Sequence, residues 1–98
     1  MKKNYNLEEI IKFTSVTIKK KLPKVKVYLY GSRAKGRGGK FSDIDIGILG
    51  KDKILARKLF EIEDEIEKTG TLYEINIVDL LKTSEKFRTG VLSYAKEI

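Results

Sequence analysis

The chain has 98 residues, a net charge of +7, and neither cysteine nor histidine. Those absences exclude disulfides, thiolate zinc sites, histidine metal ligands and histidine acid–base chemistry. The length bounds the chain to one small domain, 1–98, with a modest core. No apolar run approaches the ~20 residues that span a bilayer. The opening MKKNYN carries no secretory h-region. A soluble, cytoplasmic protein with no membrane role is expected. The charge is unevenly spread: Ile10 to Ser42 holds ten lysines and arginines and no acid, whereas Glu61 to Glu67 holds five acids and no base. A basic half favours polyanions such as a nucleoside triphosphate or nucleic acid, although solubilising lysines explain part of it, Lys19–Lys21 in particular. Lysine, glutamate and isoleucine enrichment without glutamine resembles a thermophile's composition.

In chain order, Asn6 reads as an N-cap, with Glu8 and Glu9 in a dipole-favoured first turn. Leu7, Ile10, Ile11, Thr14, Ile18 and Leu22 recur at helical spacing, predicting a helix over 7–22 that Pro23 stops. Val25, Val27 and Leu29 alternate with Lys26, Tyr28 and Tyr30, the pattern of a half-buried strand over 25–30. Gly31-Ser32 ends it, and Gly36, Gly38 and Gly39 suggest a mobile basic loop. A second strand over 43–49 alternates acid with isoleucine. Asp52 reads as the cap of a helix over 53–68, marked by Leu55, Leu59, Ile62 and Ile66 and ended by Gly70. A third strand follows over 73–79. Thr83 or Ser84 then caps a last helix with Phe87, Val91, Tyr94 and Ile98 at core spacing. The order α-β-β-α-β-α predicts an α/β (mixed α+β) sheet with helices packed against it.

The chemistry concentrates in Val25 to Leu49. Side chains two apart on a strand share a face, about 7 Å apart. Asp43 and Asp45 can therefore aim at one point while Ile44 and Ile46 face the core. Two convergent carboxylates suit a hard cation, and the N–H groups and hydroxyl of a Gly-Ser turn suit phosphate. Strand, Gly31-Ser32, ten intervening residues and Asp43-Ile44-Asp45, in the text GSRAKG followed by SDIDIGIL, resembles the signature of the minimal nucleotidyltransferases of the DNA polymerase β-like superfamily. The resemblance covers nearly the whole chain. It implies that superfamily's minimal fold, with the glycine turn opening a short helix. It implies Gly31 and Ser32 on the phosphates of ATP or another nucleoside triphosphate, and Mg²⁺ on Asp43 and Asp45. Arg33, Lys35, Arg37 and Lys40 are candidates to neutralise the triphosphate, and Ser42 joins the nucleotide-binding set. Many such proteins are antitoxins paired with a HEPN-domain protein, which makes a HEPN protein the expected partner.

The resemblance also implies a third carboxylate on the later strand, where this chain has Asn76 within Ile75-Asn76-Ile77. An asparagine offers a neutral oxygen and accepts no proton as a base, so Asn76 is retained as a catalytic-site position of altered chemistry. Alternation puts Asp79 on the core side with Ile75 and Ile77; it becomes a candidate only if the strand ends at Val78. Glu74 lies on the open side, two residues from the expected position. Three readings follow: a Mg²⁺-dependent transferase moving a nucleotide, AMP in particular, to a protein or RNA hydroxyl; a catalytically impaired nucleotide-binding module that acts by binding a HEPN-type partner; and an RNA-binding domain using the basic stretch, with Tyr28 and Tyr30 for stacking. An exposed sheet edge or an apolar helix face could serve a homodimer or a partner.

Overall fold

The computed structural model describes residues 5–39 and 42–98. Its first helix, α1 (Leu7–Lys21), starts at the expected cap: the Asn6 side chain accepts from Glu9 N–H at 2.8 Å, and Glu9 accepts in return from Asn6 N–H at 3.0 Å. This reciprocal box satisfies two backbone donors that a helix start otherwise leaves open. One face of α1 buries Ile10, Thr14 and Ile18 completely, and the Thr14 hydroxyl is accommodated there by donating to Ile10 O at 2.8 Å.

Strand β1 (Lys26–Tyr30) leads into a four-residue helix, α2 (Gly31–Ala34), and then to β2 (Ile44–Leu49). Helix α3 (Ala56–Glu67), strand β3 (Ile75–Asp79), a 3-10 turn (Leu80–Lys82), helix α4 (Glu85–Leu92) and a two-residue strand, β4 (Lys96–Glu97), complete the order. The sheet runs β3-β2-β1-β4. β1 is antiparallel to β2 and β4, and β2 is parallel to β3, so the sheet is mixed.

The expected alternation holds on β2: Ile44, Ile46 and Ile48 are fully buried. They form one cluster with Val27 of β1, Ile10 and Ile18 of α1, and Ile62 and Ile66 of α3. Full burial of an isoleucine side chain contributes about 1.5–3 kcal/mol. The register is therefore strongly fixed, because a one-residue slip would turn three isoleucines to the other face. Among the described residues, no helix is long and apolar enough to cross a membrane.

Four sequence expectations need correction. Asp52 does not cap α3; the helix starts at Ala56 behind Leu55, which makes no side-chain cap bond. The preceding segment is held extended because Ile54 is buried and donates its N–H to Asp79 Oδ2 at 2.7 Å. Leu55, read as a core position, is 63% exposed. The last helix does not run to Ile98. Ser84 caps α4 by accepting from Phe87 N–H at 3.1 Å, as expected, but the helix stops at Leu92 and the chain turns back as β4. β4 meets β1 at Tyr28 and Leu29, and Ile98 N–H donates to Val27 O at 2.9 Å. Val91 is buried as expected, whereas Phe87 is exposed and packs edge-on against Tyr30.

Asp79 is the only acid buried among the described residues. It accepts from Ile54 N–H and, through its other oxygen, from Leu81 N–H at 3.1 Å. Asp79→Ala would leave two backbone donors without their acceptor, at about 1–3 kcal/mol for each group left unsatisfied. Urea denaturation should show Asp79→Ala less stable by about 2–4 kcal/mol, with the m-value unchanged.

Candidate active site at the Gly-Ser turn

The register of β2 decides what faces outward. With Ile44, Ile46 and Ile48 committed to the core, Asp45 lies on the opposite face. There it pairs across the sheet with Tyr30 on one side and Asn76 on the other. Asp43 lies just before the strand and is exposed. Asn76 joins the two acids: its side-chain N–H₂ donates to Asp43 Oδ2 at 3.3 Å and to Asp45 Oδ1 at 3.2 Å. Both carboxylates therefore point at one small volume, as the alternation anticipated, and the amide nitrogen supplies the partial positive charge between them.

The turn abuts this cluster. Gly31 opens α2 at φ +75°, a backbone region that side chains disfavour. A Cβ on Gly31 would clash with Asp45 Oδ2. Glycine is therefore required twice over, for its dihedral and for the approach of the turn to the carboxylate. The Ser32 side chain is exposed beside it.

The basic residues after the turn separate into different roles. Arg33 folds back on the loop: its Nε and one Nη donate to Ser42 O at 3.0 and 2.6 Å, and its guanidinium lies 5.4 Å from the Tyr73 ring centroid. Ser42 Oγ accepts from Gly39 N–H at 2.7 Å. These bonds tie the loop to the start of β2. Lys35 Nζ sits 4.4 Å above the Tyr94 ring. Arg37 is exposed, with its N–H donating to Ser32 O at 2.8 Å. Lys40 lies outside the described residues.

The remaining acids do not join the pair. Asp79 is buried and engaged as described above. Glu74 is exposed, and its backbone carbonyl accepts from Ile44 N–H at 2.8 Å. Among the described residues, no group of three carboxylate, histidine or cysteine side chains could hold a metal ion together. The polar cluster is two carboxylates bridged by one amide N–H₂.

Two tyrosines complete the surroundings. Burial first, then the charge of Asp45 and then Tyr94, push the Tyr30 phenol above its ordinary pKa. Tyr30 thus stays a neutral hydroxyl, and its ring is engaged by Phe87 at 6.1 Å, nearly perpendicular. Tyr94, read in the sequence only as a helix core position, accepts from Gly31 N–H at 3.0 Å. No short-range signal could have found it, because 63 positions separate the partners.

A glycine turn at the end of one strand, set against an acidic pair on the antiparallel neighbour, is the site layout expected of a nucleotidyltransferase. The chain belongs to the family described as "Polymerase beta, Nucleotidyltransferase", whose model matches residues 7–98. It is 30% identical over 69 residues to the "Probable protein adenylyltransferase MntA" of Haemophilus influenzae, an alignment covering 68% of this chain. That alignment takes in 59% of the Haemophilus protein, so this chain corresponds to only part of it. A crystal structure of a toxin–antitoxin with AMP-PNP superimposes with a TM-score of 0.72 at 25% identity, covering 93% of this chain and 71% of the other. A chain from the complex of a tri-AMPylated Shewanella oneidensis HEPN toxin with its MNT antitoxin gives 0.63 at 24% identity, covering 92% and 66%; this second likeness is one of fold alone.

Gly31→Ala tests the geometry directly. The added methyl must displace the Asp45 carboxylate or the turn, so Gly31→Ala should lose nucleotide binding by about tenfold or more and destabilise the fold by ~1–3 kcal/mol. Isothermal titration with Mg-ATP and a thermal melt measure both.

Proposed function

We propose that this chain transfers AMP from ATP to a hydroxyl group of a protein or RNA, using Mg²⁺, and that it works as the antitoxin half of a pair with a HEPN-type partner. The observation that carries the reading is the convergence of Asp43 Oδ2 and Asp45 Oδ1 on the single Asn76 nitrogen, 3.3 and 3.2 Å away. A point already shared by two carboxylate oxygens and a partial positive charge is a point that favours a cation. Mg²⁺ characteristically takes one or two carboxylates and fills its other positions with water and phosphate oxygens, so the donor set fits one such ion. When bound there, it would neutralise charge on the triphosphate and on the departing pyrophosphate.

The chain's own groups supply the rest. The Gly31-Ser32 turn offers a hydroxyl and backbone donors to phosphate oxygens. Lys35 adds positive charge at the same turn. Transfer forms a bond from the acceptor oxygen to the α-phosphorus and breaks the bond from that phosphorus to pyrophosphate. Catalysis of this kind rests on positioning and electrostatics. The name of the Haemophilus relative supports adenylyl transfer, and the toxin–antitoxin with AMP-PNP supports an adenine nucleotide. The toxin–antitoxin neighbour supports the pairing, and the HEPN class of partner is what the family resemblance implies.

Asn76 favours a second reading on its own. The position where the superfamily pattern implies a third carboxylate carries a neutral amide, which would weaken a second metal position and remove a candidate base. A nucleotide-binding module that acts by holding its partner would keep the rest of the site unchanged.

Incubation with α-labelled ATP and Mg²⁺, with and without the partner, separates the readings. The transferase reading expects wild type to label its acceptor, and Asp43→Asn/Asp45→Asn to be slower by ~100-fold or more. Chelation of Mg²⁺ should abolish labelling. Label transfer by Asn76→Asp but not by wild type would establish the binding-module reading instead.

A further inference from the structure

The C-terminal segment reaches the Gly31-Ser32 turn through Tyr94. After α4 the chain turns, with Tyr94 N–H and Ala95 N–H both donating to Val91 O, at 3.2 and 2.9 Å. On one side, buried Val91 anchors this turn; on the other, β4 pairs with β1. Held at both ends, the Tyr94 side chain meets the glycine motif twice. Its hydroxyl oxygen accepts from Gly31 N–H at 3.0 Å, and its ring lies beneath the Lys35 ammonium at 4.4 Å.

The direction of the hydrogen bond matters. A phenol is both donor and acceptor. Tyr94 uses its acceptor on Gly31, and among the described residues its own hydrogen has no acceptor. A half-buried tyrosine can turn that hydrogen toward solvent or toward a ligand at the surface. Here an unspent O–H donor, polarised by the N–H behind it, stands beside a lysine cation held over the same ring. The pairing of an unspent donor with a fixed cation suits an anion with several oxygens.

We propose that Tyr94 is a phosphate-binding and positioning residue: its hydroxyl donates to the triphosphate of the bound nucleotide while its ring holds Lys35 over that triphosphate. This rests on the nucleotide reading above and adds a contact from outside the glycine and aspartate motif. It also makes the C-terminal turn part of the nucleotide site.

The test is Mg-ATP affinity by isothermal titration for wild type, Tyr94→Phe, Tyr94→Leu, Lys35→Met and the double variant Tyr94→Leu/Lys35→Met, with thermal melts of each ligand-free protein. Tyr94→Phe keeps the ring and should weaken ATP binding by about tenfold, the scale of one hydrogen bond to a charged group. Its ligand-free melting temperature should stay within a few degrees of wild type. Tyr94→Leu should lose more, and the double variant less than the product of the two single losses, because both remove one shared contact. Equal affinity in wild type and Tyr94→Phe would overturn the proposal. Tighter binding by Tyr94→Phe would also overturn it, showing that the hydroxyl competes with phosphate for Gly31 N–H. Wild type that binds no ATP would overturn both this role and the nucleotide reading; tight wild-type binding that is indifferent to Tyr94 would overturn this role alone.

Discussion

Three isoleucines on one strand settle most of what this protein can do. Ile44, Ile46 and Ile48 are fully buried against the layer formed by α1 and α3. Their burial leaves a single register for β2, and that register carries Asp45 to the opposite face between Tyr30 and Asn76. The acidic pair is therefore placed by hydrophobic packing.

A second constraint works from the far end of the same sheet. Asp79 continues β3 into the core, where one buried carboxylate holds both the loop before α3 and the 3-10 turn after β3. Leu80 in that turn lies against Gly47 on β2, close enough that a Cβ on Gly47 would stand 3.1 Å from it. Asn76 and Asp79, three apart on one strand, thus face opposite ways and do unrelated work. One belongs to the polar cluster and the other stitches loops together.

Much of this was legible in the sequence. Alternation on β1 and β2, the Asn6 cap, Ser84 and Gly70 are local signals, and each corresponds to a local interaction in the structure; the return bond from Glu9 was not read in advance. The pairing of Asp43 with Asp45 followed from a period of two, and the position of Asp79 followed from the same count. What escaped was non-local. β4 has two residues, too few to show a period, and is defined only by its pairing with β1. The late start of α3 depends on a bond from Ile54 to a residue 25 positions away. Tyr94 sits at helical spacing from Val91, so periodicity assigned it to a core; the turn that brings it to Gly31 instead depends on β4.

The amide at Asn76 has a consequence for the acidic pair. Three clustered carboxylates repel one another when no cation is present, so such a site charges part of its folding energy to metal occupancy. Here the third member is a neutral donor that attracts both acids. The chain itself thus supplies a hydrogen-bond donor to both carboxylates. A face built this way is drawn together by one amide where a third acid would push it apart.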